Sequence, residues 1–432
     1  MNRFLFTTFG SLGDLYPYLA IGRVLHERGH QAVIATVEEY RQAVADAGLE
    51  FAPVRPSLAE LGDPLALARR VLEPRRGPEY LIRRVVMPHV RAAYEQLLPL
   101  STGADLLISH PLTFALPLVA RQRGLPWVAT VLSPLSLMSC HDPPVIAAAP
   151  WLHALRGLGP RFHRFLFRVI KRAVWPWESP LRELRRALGL PPSSHLAMFE
   201  GQFSPLCNIA LFDPLLATPQ PDWPPAIQLC GAPLYEERRP AVDLAPELDS
   251  FLDAGEAPVV FALGSSAVWV ADDFWDKAAA AVQHLGKRAL LITGPVEPVL
   301  SIPGVRAFPY LPYARVFPRA AVVAHSAGIG TLAQALRAGC PQLLVPLAFD
   351  QPDNAYRAAA LGVARRVPFA KVTVRRLVSE LDALLTQPDY ARAARRVADE
   401  LATTDGAACA ADVLVARLDG GAHRRSRSTL DD

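Results

Sequence analysis

Residues 320–354 read AAVVAHSAGIGTLAQALRAGCPQLLVPLAFDQPDN. An apolar β-type run ends at His325, a turn of small residues follows, and LAQALRAG has helical spacing. A second apolar run, QLLVP, then leads into the turn LAFDQPDN. Strand, turn, helix, strand, turn is the repeating unit of a parallel sheet with helical crossovers. Such sheets bind ligands beyond the carboxyl ends of their strands, so both turns are candidate sites. In HSAGIGT the small residues let backbone N–H groups approach an anion, and the following helix adds its positive dipole end; together they form a phosphate seat. His325, at the strand end, is expected to donate a hydrogen bond to the same oxygens. A tight strand-to-helix turn would use the same glycines. In the second turn Asp350 and Gln351 combine strong acceptors with an amide, suited to vicinal sugar hydroxyls. Asp before Gln-Pro is equally a helix N-cap.

The same rhythm runs through the rest of the chain. In the first half, RFLFTT, QAVIAT, DLLISH and WVATVL read as strands alternating with helices, one of them from Pro17. The second half restarts with PVVFALGSS, RALLITG and VRAF. The expected fold is α/β, two Rossmann-like doubly wound domains. We place the first at residues 1–229, a Pro- and charge-rich linker at 230–257, and the second at 258–420, with a disordered tail at 421–432. The last helix is free to pack back on the first domain.

A chain of 432 residues suits two domains better than one core. Its 41 prolines are roughly twice the usual share of about 5% and stiffen loops such as TPQPDWPPA. A formal charge of +4 gives little support to nucleic-acid binding. Five scattered cysteines, Cys140, Cys207, Cys230, Cys340 and Cys409, suggest neither a disulfide framework nor a zinc site. The expected compartment is the cytoplasm, free or at the inner membrane face. Neither a signal-peptide core nor 18 uninterrupted apolar residues is present.

Two further turns carry chemistry. ALGSSAVW, residues 262–269, offers Gly264 and Ser265 as a second face for a phosphate, or a plain turn. FGSLGDLYPYLAIG, residues 9–22, occupies a phosphate-loop position yet carries the carboxylate of Asp14. A separate stretch, RFHRFLFRVIKRA (161–173), sets Arg161, Arg164, Arg168 and Arg172 against Phe162, Phe165, Leu166, Val169 and Ile170. This basic amphipathic helix reads as a solvated surface face, as a weak contact for membrane headgroups, or as a wall for a greasy acceptor.

HSAGIGTLAQALRAGCPQLLVPLAFDQPDNAYRAAALG, residues 325–362, resembles the donor-binding signature of GT-B nucleotide-sugar glycosyltransferases of family 1. FGSLGDLYPYLAIGRVLHERGH is similar to the opening of the sterol and antibiotic-tailoring members, and VLSPLSLMSCHDPP to the rhamnolipid-type rhamnosyltransferases. The resemblance implies that His325, Ala327, Gly328, Gly330 and Thr331 hold the donor diphosphate, with Gly264 and Ser265 beside them. Asp350 and Gln351 would hold the transferred sugar, and Tyr310 and Leu311 would line the base. Ser326 and Ala327 depart from the two glycines that many members carry after the histidine. No D-x-D sequence occurs, so a divalent-metal anchor is not expected, nor any other cofactor.

The expected partners are a UDP- or dTDP-hexose donor and a hydrophobic alcohol as acceptor. Asp14 would be the general base of an inverting transfer, flanked on the acceptor side by Ser11 and Gly13. Its alternative is an N-cap for the helix from Pro17. His110, at the end of DLLISH, is a secondary catalytic candidate, and His141 in SCHDPP a border of the acceptor pocket; each is also readable as a structural histidine. Rival functions on the same architecture are a sugar-nucleotide epimerase and a non-catalytic nucleotide-sugar-binding auxiliary protein.

Overall fold

The computed structural model describes residues 1–235, 246–295 and 302–428. Seven strands form the first sheet: β1 (Arg3–Thr7), β2 (Gln31–Thr36), β3 (Glu50–Pro53), β4 (Leu106–Ser109), β5 (Trp127–Val131), β6 (Asn208–Ala210) and β7 (Ile227–Leu229). Their spatial order is β3-β2-β1-β4-β5-β6-β7, every pairing parallel. Six more form the second: β8 (Val259–Ala262), β9 (Ala289–Ile292), β10 (Val305–Phe308), β11 (Val322–His325), β12 (Gln342–Leu344) and β13 (Ala364–Arg366). Here the order is β10-β9-β8-β11-β12-β13, again parallel. Central strands such as Phe4–Phe6 and Val259–Ala262 are buried throughout, which is why they are continuous apolar runs and not alternating ones.

In each sheet the winding direction reverses once, between β1 and β4 and between β8 and β11. At such a switch point the loops leaving adjacent strands run to opposite faces and open a crevice beyond the strand ends. Asp14 follows β1 and His110 follows β4; Gly264 follows β8 and the HSAGIGT turn follows β11. Topology alone therefore puts the candidate residues in two crevices.

The helices include α1 (Leu12–Glu27), α2 (Gly159–Val174), α3 (Pro246–Asp253), α4 (Gly264–Ala267), α5 (Ile329–Arg337), α6 (Gln351–Ala360) and α7 (Gly406–Ser428). Helix α1 starts at Leu12, five residues before the expected Pro17, because Ser11 caps it; Pro17 lies inside the helix. The stretch expected as a linker contains α3, whose Leu248 and Leu252 are buried in the second core beside Val260 and Leu290. Their i, i+4 spacing gives the helix an apolar edge. Linker residues 236–245 lie outside the described residues. The final helix does not end at 420 but continues to Ser428, since propagating a formed helix fixes only one residue per added hydrogen bond; residues 429–432 lie outside the described residues. Ala407, Ala410, Ala411 and Leu414 of α7 pack into the first core with Leu15, Tyr18 and Leu19.

Candidate active site

Around Asp14 the chain builds a hydrogen-bonded carboxylate. Asp14 is the third residue of α1, and its Oδ2 accepts from Ser11 N–H (2.7 Å) and from Ser11 Oγ (3.1 Å). Ser11 Oγ in turn accepts from Gly13 N–H (3.2 Å), which makes a reciprocal cap. The capping alternative is therefore partly realised, from the third helical position and through one oxygen. The other oxygen, Oδ1, stands 3.2 Å from His110 Nε2. Leu112 N–H donates to His110 Nδ1 (3.0 Å), so the imidazole proton belongs on Nε2, which donates to Asp14. His110 is almost wholly buried, whereas Asp14 keeps 32% of its side chain exposed toward the cleft.

Gly10 makes this geometry feasible. At φ +139° it occupies a region that side-chain-bearing residues avoid, and a Cβ there would stand 2.3 Å from Asp14 Oδ2. His110 also walls a small open cleft with Phe114, Leu118, Trp175, Leu181 and Gln202. His141 is exposed on the loop after β5; no contact joins it to Asp14 or His110 among the described residues.

On the second sheet, two turns meet as expected. Ser326 Oγ donates to Leu263 O (2.7 Å), tying the HSAGIGT turn to the one after β8. Gly264 holds φ +83°, a conformation that side-chain-bearing residues rarely adopt, and it lies against Thr331 and Ser326 of the neighbouring turn. Gly328 is the N-cap of α5 and no side chain caps that helix, so the N–H groups at Ile329, Gly330 and Thr331 point into the crevice unclaimed by a cap. Ser265 is exposed at its edge. Thr331 also bonds the hydroxyl of Tyr313, which stacks on Phe317 at 4.4 Å.

His325 and Ala327 do not take the places expected of them. His325 is fully buried; its Nε2 donates to Gln342 Oε1 (2.9 Å) and its Nδ1 accepts from Ala327 N–H (3.2 Å). Burial, opposed by the Gln342 contact, lowers its pKa to about 4, so it stays neutral. With both nitrogens engaged, the imidazole shapes the turn from beneath instead of donating to a ligand. Ala327, also fully buried, holds φ +65°, and its carbonyl accepts from Asn354 Nδ2 (3.0 Å). Both side chains belong to the scaffold because β11 extends through His325 and turns that side chain inward.

The Asp350 carboxylate forms no cap bond although it sits at the N-cap of α6. It accepts instead from Asn354 Nδ2 (2.7 Å), and Phe349 before it is held at φ +53°. Gln351 Oε1 accepts from Leu347 N–H (2.9 Å) and Ala348 N–H (3.2 Å), which leaves its amide nitrogen for a ligand. Burial pushes Asp350 up to about 7, with Asn354 opposing and the Asp14 carboxylate adding to the rise. The carboxylate after β1 and the one after β12 are thus close enough to feel each other's charge. Tyr310 is 39% exposed, while Leu311 is buried in the second core and offers only its backbone.

The raised value makes stability pH-dependent. An unfolded Asp releases its proton at about 4, whereas folded Asp350 holds it to about 7, so its contribution is full below the first value and lost as pH rises through the second. Asp350→Asn removes that loss. Its melting temperature in ligand-free protein should gain on the parent's as pH climbs from about 4 to about 7, then run parallel; curves that track each other throughout would contradict the assignment.

One further cluster joins the two halves. Arg357 of α6 donates through Nη1 to Asp142 Oδ2 (2.6 Å) and Leu216 O (3.0 Å), and through Nε to Asp353 Oδ2 (2.7 Å). Asp353 Oδ1 accepts from Val145 N–H (2.9 Å), and Arg156 also bonds Asp142. The loop after β5 is therefore fastened to the helix that begins with Gln351. Nothing in the spacing of these residues announces it, nor the roles of Gly10 and Asn354.

Two doubly wound sheets, with an uncapped helix N-terminus at one switch point and a hydrogen-bonded carboxylate at the other, have the architecture of the GT-B nucleotide-sugar enzymes. Similarity to known proteins narrows this. Residues 4–86 match the glycosyltransferase family 28 N-terminal domain, and residues 290–416 the erythromycin biosynthesis protein CIII-like C-terminal domain. The chain is 31% identical to the O-mycaminosyltylonolide 6-deoxyallosyltransferase of Streptomyces fradiae, over 94% of both proteins. It is 30% identical to the vancomycin aglycone glucosyltransferase of Amycolatopsis orientalis, covering 96% of this chain and 97% of that one. Among solved structures, a calicheamicin glycosyltransferase superposes with a TM-score of 0.71 at 18% identity, over 98% and 99% of the two chains. Glycosyltransferase VinC, in complex with dTDP, does so at 0.66 and 23%, over 96% and 99%. The chain belongs to the family 1 GT-B glycosyltransferases, in their antibiotic-tailoring group, and is a hexosyl-transferring enzyme.

Proposed function

We propose that the chain moves a hexose from a UDP- or dTDP-sugar to a hydroxyl of a hydrophobic acceptor, with inversion, without a metal, and with Asp14 as general base. The observation that carries this reading is the pairing of Asp14 with His110 at one switch point opposite the uncapped α5 N-terminus at the other. The acceptor oxygen attacks the anomeric carbon as its proton passes to Asp14, and the bond from that carbon to the diphosphate oxygen breaks. His110 acts as a positioning residue: its Nε2–H holds Oδ1 and so fixes the plane of the carboxylate. Charge growing on the departing diphosphate meets the N–H groups of Gly330 and Thr331 and the helix dipole, an electrostatic stabilisation of the kind that serves in place of a cation. Asp350 and the Gln351 amide hold the sugar from α6.

Support for an acceptor with an apolar part comes from the cleft beside His110, where Phe114, Leu118, Trp175 and Leu181 line it together with Glu178, Arg182, Arg185 and His195. The name of the vancomycin relative gives its acceptor as an aglycone, and VinC was solved with dTDP; both agree with this reading. Thermal-shift titration with UDP, dTDP and their hexose derivatives tests the donor half. At one hundred times its Kd a nucleoside diphosphate should add about 2.7 kcal/mol to stability, and products should then form with mixed apolar alcohols. If neither diphosphate raises the melting temperature, the donor seat is misassigned.

A further inference from the structure

Helix α2 carries a surface that sugar transfer does not use. From 143 to 177 the sequence has cations at Arg156, Arg161, Arg164, Arg168, Lys171 and Arg172, and no Asp or Glu at all. Lys171 pairs with Glu200 and Arg156 with Asp142. Arg161, Arg164, Arg168 and Arg172 are exposed, and among the described residues no carboxylate lies within ion-pair distance of them. His163 and Phe167 anchor the inner face of the helix. Between these arginines Phe165 is 64% exposed and Val169 50%, and the flanking segments add Trp151, Leu158 and Trp175.

We propose that this face docks on an anionic lipid bilayer, with α2 lying in the plane of the headgroups. Guanidinium groups meet lipid phosphates, while Phe165, Val169 and Leu158 dip into the boundary between headgroups and acyl chains. Trp151 and Trp175, at either end, are of the residue type that favours that boundary. No helix among the described residues is long and apolar enough to cross a membrane, so the contact is peripheral. The charge pattern selects this occupant. A second copy meeting the same face across a two-fold axis would bring four arginines against four arginines. A nucleic acid would satisfy the arginines and leave the large apolar side chains between them in water. Trp175 also lines the cleft beside His110, so docking brings the mouth of that cleft to the lipid surface.

Vesicle co-sedimentation of the full chain tests this independently of any transfer reaction. Vesicles of phosphatidylcholine with about 30% phosphatidylglycerol should bind at least roughly tenfold more protein than phosphatidylcholine alone, and about 0.5 M salt should release most of it. Arg164→Gln with Arg168→Gln, and separately Phe165→Ser with Val169→Ser, should each cut binding roughly tenfold. Melting temperature and nucleoside diphosphate binding should not move in either variant, which excludes misfolding as the cause. Equal binding to both vesicle types, no binding to the anionic ones, or variants that bind like the parent would overturn the proposal. So would a dimer in the parent that Phe165→Ser dissociates, because the face would then belong to a protein partner.

Discussion

Replacing Asp14 by Asn should lower kcat by roughly 10² to 10⁴ while the protein keeps its fold and its affinity for nucleoside diphosphates. The substitution is close to isosteric. An Asn side-chain oxygen can still accept from Ser11 N–H, as Asp14 Oδ2 does at 2.7 Å, so the cap of α1 survives. What disappears is the ability to take a proton, together with a first-turn charge on the helix that is worth about 0.3 to 1 kcal/mol. Single-turnover measurements at saturating donor separate the outcomes, since a lost base slows the chemical step without touching donor binding. Turnover within a few-fold of the parent would reduce Asp14 to a capping residue, and the cleft would need another base. His110 could not fill that role unaided, because its Nδ1 is committed to Leu112 N–H and its Nε2 carries the proton.

What sequence can and cannot reveal divides along physical lines. The turns after β1, β8, β11 and β12 are legible because small residues and carboxylates at strand ends are local signals. The central strands are legible because burial on both faces makes them continuous apolar runs. β3, β6, β7 and β13 are not, being three or four residues long and carrying residues such as Glu50, Asn208, Gln228 and Arg365. The rule that proline opens helices puts the start of α1 at Pro17; the Ser11–Asp14 cap overrides that rule. The sequence rightly places His325 at the turn, but it does not say which way the last side chain of a strand points. Here it points inward, to Gln342. Gly10 lies four residues before a carboxylate at the cleft edge, a close approach that only coordinates reveal.

Contacts between the halves are the least legible, because Asp142 and Arg357 are 215 positions apart. They also carry the second large expectation. Arg357→Met should destabilise the protein by about 3 to 5 kcal/mol, the usual consequence of removing one partner from a buried ion pair. Asp353 is fully buried, and burial already raises its pKa against the opposing pull of Arg357. Without the guanidinium it must stay charged in a poor environment or take up a proton. Asp142 has Arg156 in reserve, so the loss falls mainly on Asp353. At about 2 to 4 °C per kcal/mol for domains of this size, the melting temperature should drop by roughly 10 °C. A double-mutant cycle supplies the decisive comparison. Asp353→Asn in the Arg357→Met background removes the stranded charge and should recover part of the loss, giving a coupling of roughly 0.5 to 3 kcal/mol. Strict additivity would mean that the two side chains are neighbours without being partners. Recovery would establish Asp353 and Arg357 as partners within α6, the pair from which the acceptor-side loop is bound through Val145 N–H and Asp142.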